Sequence, residues 1–75
     1  MPTVRITAVR RSASRPSLAE LVQHFTGLPL PEACRLIDRA AAGERIDVEL
    51  DDQDAAYDFA ALLTDLGATA EAVED

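Results

Sequence analysis

Two kinds of hydrophobic spacing alternate along this chain, and together they restrict its fold more than any single residue does. Every second residue is apolar in 4–8 and again in 46–50, which is the period of a β-strand with one buried face. Apolar residues recur with helical spacing in 17–26, 31–42 and 52–66, and a glycine follows each of these segments. The pattern predicts a fold of strands and three amphipathic helices.

The segment 69–73 has a weaker strand pattern because alanines occupy its inward positions. The predicted order of elements is therefore β-α-α-β-α-β. A pair of helices returns the chain antiparallel to the first strand, whereas one helix between the last two strands makes those two parallel. Both relations hold if the first strand is central. The expected fold class is α+β, a two-layer structure in which three helices cover one face of a three-stranded antiparallel sheet.

Polar residues predict the open face of the sheet and the helix starts. The outward positions of the strands are polar or charged, so that face should contact water; they are Arg5, Thr7, Asp47, Glu49 and Glu71. Ser17 and Glu20 have the spacing of a capping box, which places the start of the first helix at Ser17. Pro31 suits the first turn of the second helix, and Asp51 or Asp52 can cap the third.

The apolar residues on the inward faces form the predicted core. They are Val4, Ile6, Ala8, Leu18, Leu21, Val22, Phe25, Ala33, Leu36, Ile37, Ala40, Ala41, Ile46, Val48, Leu50, Ala55, Ala56, Phe59, Leu62, Leu63 and Leu66. Within this set, Leu36 is expected to be buried and its truncation to be strongly destabilising.

A chain of 75 residues is expected to form a single domain, residues 1–75, because a second core needs a longer chain. Its composition, 48% hydrophobic and 28% charged, is that of a globular protein. No apolar run approaches the ~20 residues of a membrane span, and no secretion signal follows Met1. One cysteine cannot form an internal disulfide, so we expect a cytoplasmic protein without membrane contact.

The formal net charge of −7 is unevenly distributed. Residues 1–15 contain four arginines and no acid, whereas residues 46–75 contain ten acids and no base. Because an acidic chain repels nucleic acid, direct nucleic-acid binding is not expected. Arg10, Arg11 and Arg15 either meet an acidic protein partner or are solvated surface groups.

The residues that could carry chemistry are few. His24 and Cys34 are the only histidine and cysteine, and no third group is evident that would orient them as a catalytic pair. Asp52 and Asp54 have the spacing of a calcium loop but lack its later glycine and glutamate, so capping explains them better. No glycine-rich phosphate loop is present. We therefore expect no enzyme activity, no metal and no cofactor.

Residues 26–38 read TGLPLPEACRLID and resemble the motif T-G-L-x-L-x-E-A-x-x-L-V-[DE] of one family. That family is the C-terminal domain of the bacterial ribosomal large-subunit stalk protein. The similarity extends to 4–6, 54–56 and 66–71, and the family's fold has the same β-α-α-β-α-β order. The family is tethered to the ribosome by an N-terminal dimerisation region and a hinge. Since this chain begins directly at the globular domain, tethering of that kind is not expected.

The resemblance implies a partner-binding surface on the first two helices, where the family recruits translation factors through basic and apolar residues. The corresponding positions are Arg15, Ala19, Glu20, Gln23 and Cys34. Only Arg15 keeps a basic side chain, and Ala19 stands where the family has an exposed isoleucine. With Arg10 and Arg11, these residues form the predicted partner-binding site on the first-helix face. Because most of the basic groups are replaced, we do not expect elongation factors to bind through the family's own contacts.

The predicted function is that of a non-enzymatic protein–protein interaction module, associated with translation or recruited to another partner. The alternative is a protein similar to the Clp protease adaptor, which shares the fold and delivers substrates with destabilising N-terminal residues. The adaptor's pocket uses an Asn-Asp-Asp element before the first helix and a histidine after the second. Here 11–15 carries arginines instead of acids and 39–42 contains no histidine, so this resemblance is the weaker one.

Overall fold

The computed structural model describes residues 2–73. The chain forms β1 (Thr3–Val9), α1 (Arg15–Thr26), α2 (Leu30–Ala41), β2 (Ile46–Glu49), α3 (Gln53–Asp65) and β3 (Ala68–Val73). This is the predicted order, and the alanine-rich segment does form the last strand.

The central strand of the sheet is β1, and the order is β2-β1-β3 with both neighbours antiparallel to it. Val4 pairs with Val48 on one side and with Ala72 on the other. Both α2 and α3 pack on the sheet, while α1 packs mainly against those two helices. The predicted two-layer α+β fold is confirmed.

The core is apolar throughout. Phe59 of α3 is fully buried, and its ring stacks on Phe25 of α1 with 4.9 Å between centroids. Val4 and Ile6 of β1 and Ile37 of α2 are also fully buried or nearly so. Within residues 2–73 no polar or charged residue is buried. Every charged group of this part of the chain therefore lies where a partner or water can reach it.

The open face of the sheet is polar, as predicted. Arg5 lies opposite Asp47 on β2 and opposite Glu71 on β3. The Arg5 Nε donates to Asp47 Oδ1 at 3.0 Å. A central cation between two acids lowers repulsion across the strands, since opposite charges that face each other stabilise a sheet.

The predicted start of the first helix is wrong by two residues. The helix begins at Arg15, and Ser14 caps it by accepting a hydrogen bond from the Ser17 backbone N–H at 3.4 Å. Ser17 is thus a residue of the first turn, and the Ser17–Glu20 pair is not a capping box. Pro16 fits this turn because its missing N–H has no intrahelical partner there.

The prediction that Ala8 belongs to the core is also wrong. Between Ile6 and Ala8 the register of β1 against β3 shifts, because Thr7 is an extra residue on β1. Such a bulge reverses which side chains point inward beyond it. Val9 is consequently half-buried and Ala8 is exposed.

Three leucines assigned to the core are less buried than predicted. On α2 the fully buried residues are Ala33, Ile37 and Ala40, and Leu36 at the edge of this stripe is only half-buried. On α3, Leu62 and Leu66 are 42% and 40% exposed. A two-layer domain of this size covers one narrow stripe of each helix, and these leucines flank it.

Candidate functional site

A surface groove of about 200 Å³ lies between α1 and α2. It is lined by Arg15, Pro16 and Glu20 of α1 and by Leu30, Cys34 and Asp38 of α2. Three of the predicted partner-binding residues, Arg15, Glu20 and Cys34, therefore lie around one concave surface.

Helical spacing accounts for this lining. Leu30, Cys34 and Asp38 follow one another at every fourth residue, so their side chains form one stripe along α2. Pro16 and Glu20 have the same spacing on α1. The connection between the helices is short, so they pack side by side as a hairpin, and these two stripes border the groove between them.

An ion pair bridges the helices at the groove. Arg15 Nη1 lies 3.3 Å from Asp38 Oδ1, and the two side chains are 59% and 62% exposed. Exposed pairs of this kind contribute about 0.2–1 kcal/mol. The pair therefore contributes little to stability, but it engages Arg15, the one arginine that lines the groove.

The remaining lining combines apolar surface with a free acid. Leu30, the first residue of α2, is 40% exposed, and Pro16 and Cys34 provide further apolar atoms. Glu20 is exposed and forms no ion pair with any other residue of 2–73. Such a surface can hold an apolar side chain from another molecule and attract a cation beside it.

One predicted site residue is unavailable to a partner. Ala19 has no exposed surface and is buried with Leu18 and Val22 on the core side of α1. Its assignment as an exposed contact is wrong, because the inward face of α1 extends to include it.

Of the predicted arginine cluster, only Arg15 lines the groove. The Arg10 backbone N–H donates to the Gly67 carbonyl at 2.8 Å, in the turn between α3 and β3. Arg15 instead reaches Asp38 on α2. Arg10 and Arg11 are exposed, as is Gln23 on α1, but none of the three lines the groove.

His24 and Cys34 are not brought together in the groove. His24 is exposed and its ring packs edge-on against Phe25, with 5.4 Å between centroids. Cys34 is half-buried in the groove, which His24 does not line. The groove therefore places Cys34 beside Glu20 and Asp38 and not beside His24, the base of the pair considered from the sequence.

The paired aspartates before α3 have a structural role. Asp52 Oδ1 accepts a hydrogen bond from the Asp54 backbone N–H at 3.3 Å, and Asp52 is the N-cap of the helix. The choice between Asp51 and Asp52 is thereby settled. Across residues 2–73, no group of three or more histidine, cysteine or acidic side chains is placed to hold a metal ion.

Half of the groove lining was not predicted from the sequence, namely Pro16, Leu30 and Asp38. The helical spacing of 31–42 leaves Leu30 outside the second helix, although Leu30 is the first residue of α2. A helix that begins at Leu30 places Leu30, Cys34 and Asp38 on one stripe. This four-residue spacing is the sequence pattern from which the α2 side of the groove could have been predicted.

No protein-family model and no curated protein matches this chain. No helix in the described part of the chain, residues 2–73, is long and apolar enough to cross a membrane.

Proposed function

We propose that this chain is a non-enzymatic protein–protein interaction module that binds its partner in the groove between α1 and α2. The observation that carries the proposal is the groove itself, with exposed Leu30 at its edge and charged residues around it. Its volume of about 200 Å³ is below the roughly 300–1,000 Å³ of small-molecule pockets. It fits one or two side chains of a protein partner better than a substrate or cofactor.

The resemblance to the stalk C-terminal domain supports a translation-associated partner in the cytoplasm. The motif at 26–38 spans the end of α1, the connector and most of α2. It includes Leu30, Cys34 and Asp38, which form the α2 side of the groove. The segment most similar to the family therefore also supplies the α2 side of the proposed site.

Affinity capture from a lysate of the source organism tests the proposal. The bait is the wild-type chain, and the test variant is Leu30→Glu, which places a charge at the edge of the groove. Glutamate is tolerated in the first turn of a helix because it faces the positive end of the helix dipole. Leu62→Glu on α3 is the matched control, since Leu62 is 42% exposed and Leu30 is 40% exposed.

We expect wild type and Leu62→Glu to capture the same partner and Leu30→Glu to lose it. Translation factors or ribosomal proteins in the captured fraction support the translation-associated role. A Clp chaperone captured in the same groove-dependent way would instead favour the adaptor function. If Leu30→Glu captures as much partner as wild type, the groove is not the binding site.

A further inference from the structure

The charges around the α1–α2 groove indicate what kind of partner it accepts. Arg15 is paired with Asp38, whereas Glu20 has no ion-pair partner within residues 2–73. The lining therefore carries two acids and one base, and its base is already engaged. An acidic segment entering the groove would approach Glu20 and Asp38, and it would have to compete with Asp38 for Arg15. A basic segment meets a free carboxylate without breaking any existing contact.

The apolar part of the lining adds a second requirement. Pro16, Leu30 and Cys34 offer apolar surface in a cavity of about 200 Å³. A cavity of this kind contributes most to affinity when an aliphatic or aromatic side chain fills it and excludes water, while charges at its edge select the partner.

We infer that the groove binds a basic, apolar segment of its protein partner, in which a large apolar side chain sits against Pro16 and Leu30 and a lysine or arginine faces Glu20. This inference rests on the proposed function and names the chemistry of the partner at the same site.

A random peptide library displayed on phage provides the first test. The library is selected on the wild-type domain at physiological salt, after depletion on the Leu30→Glu variant. The variant carries an additional negative charge, so depletion removes peptides that bind only because they are basic. We expect the remaining peptides to combine a large apolar residue with a nearby lysine or arginine. Enrichment of acidic or purely polar peptides, or of none above background, would overturn the inference.

The second test measures the affinity of an enriched synthetic peptide for charge variants. Glu20→Gln should weaken binding about two- to five-fold, which corresponds to one exposed ion pair. Asp58→Asn removes the same unit charge from the exposed surface of α3, outside the groove, and should leave the affinity unchanged. Equal weakening by both variants would mean that only the net charge of the domain matters, and this would contradict a specific contact at Glu20.

The third test locates the bound peptide by NMR. Amide chemical shifts of Glu20, Leu30 and Cys34 should change on titration, and those of Asp47 and Glu71 on the open sheet face should not. Changes confined to the sheet face would place the basic segment there and overturn the inference.

The two proposals can fail separately. If lysate capture depends on Leu30 but the selected peptides are acidic, the groove is the site and only the chemistry inferred for its partner is wrong. If Leu30→Glu captures as much lysate partner as wild type and the selection yields no peptide above background, both the site and the inference are wrong.

Discussion

Gly67 allows the loop after β1 to lie directly against the turn between α3 and β3. Its φ of +100° is one that residues with a side chain rarely adopt. A Cβ atom at this position would lie 2.9 Å from the Cβ of Ala13, and the Gly67 carbonyl accepts the Arg10 N–H at 2.8 Å. The absence of a side chain at one residue thus determines how closely two connections approach.

We predict that Gly67→Ala is markedly more destabilising than Gly43→Ala. Gly43 has a φ of +98° but nothing within 4 Å of an added Cβ, so both variants share backbone strain of about 1–2 kcal/mol. Only Gly67→Ala adds the contact with Ala13, and overpacking of this kind costs about 1–3 kcal/mol. Urea denaturation measures the free energy of unfolding of each variant. Adding Ala13→Gly should recover part of the loss in Gly67→Ala but nothing in Gly43→Ala; equal losses in the two single variants would contradict the close contact.

A second prediction at the residue scale concerns the inward face of α2. Ile37 has no exposed surface, whereas Leu36 is half-buried. Ile37→Ala should lower the free energy of unfolding by about 2–5 kcal/mol, and Leu36→Ala by clearly less. A domain of 75 residues is stable by roughly 4–11 kcal/mol, so the first change removes a large part of the total. Thermal unfolding of both variants shows which one loses more stability. A larger loss in Leu36→Ala would mean that the buried face of α2 is assigned wrongly.

At the scale of single elements, the beginning of α1 depends on one side chain. The capping-box spacing predicts Ser17 as the cap of this helix, whereas the structure uses Ser14. No acidic residue lies in the first turn, and Arg15 there faces the positive end of the helix dipole. The cap and the ion pair with Asp38 therefore compensate for an unfavourable charge at the helix start.

Ser14→Ala should destabilise the domain by about 0.5–2 kcal/mol, near the lower end because the capping bond is 3.4 Å long. Ser17→Ala is the matched control and should change stability by less than about 0.5 kcal/mol, since Ser17 contributes a backbone N–H and not a cap. Guanidinium unfolding curves of the two variants separate these effects. A larger loss in Ser17→Ala would restore the capping box predicted from the sequence.

The elements themselves were predictable because hydrophobic spacing is a local property of the sequence. Features that depend on contacts between elements were not: the bulge that exposes Ala8 follows from the pairing of β1 with β3, and the burial of Ala19 follows from how α1 lies on the core. The site shows the same division. Individual positions such as Glu20 and Cys34 were proposed from the family resemblance. That they share a groove with Leu30 depends on the packing of α1 on α2.

At the scale of the whole molecule, acidic charge is concentrated in the second half of the chain. Residues 46–75 hold ten acids and no base, and the formal net charge is −7. The three ion pairs found within residues 2–73 are Arg5–Asp47, Arg15–Asp38 and Arg39–Glu44, and they leave most of these acids without a cation. Self-repulsion among like charges destabilises the compact state.

Added salt should therefore stabilise this domain. The longest dimension is 29 Å, so in a buffer of ~0.01 M ionic strength, where the Debye length is about 30 Å, all the acids repel one another. At ~0.1 M the Debye length is about 10 Å, and only neighbouring charges still interact. We expect the Tm to rise when sodium chloride is increased between these concentrations, as measured by circular dichroism.

The double variant Asp58→Lys with Asp65→Lys supplies the control, because it replaces two exposed acids of α3 by bases. Its Tm should be higher than that of wild type at low salt and should respond less to added salt. Asp65 adds to this difference because it lies in the last turn of α3, where no basic residue balances the negative end of the helix dipole. A Tm that falls with added salt in the wild-type domain would contradict this prediction. The attractive pairs, of which Arg5–Asp47 is the least exposed, would then outweigh the repulsion among the remaining acids.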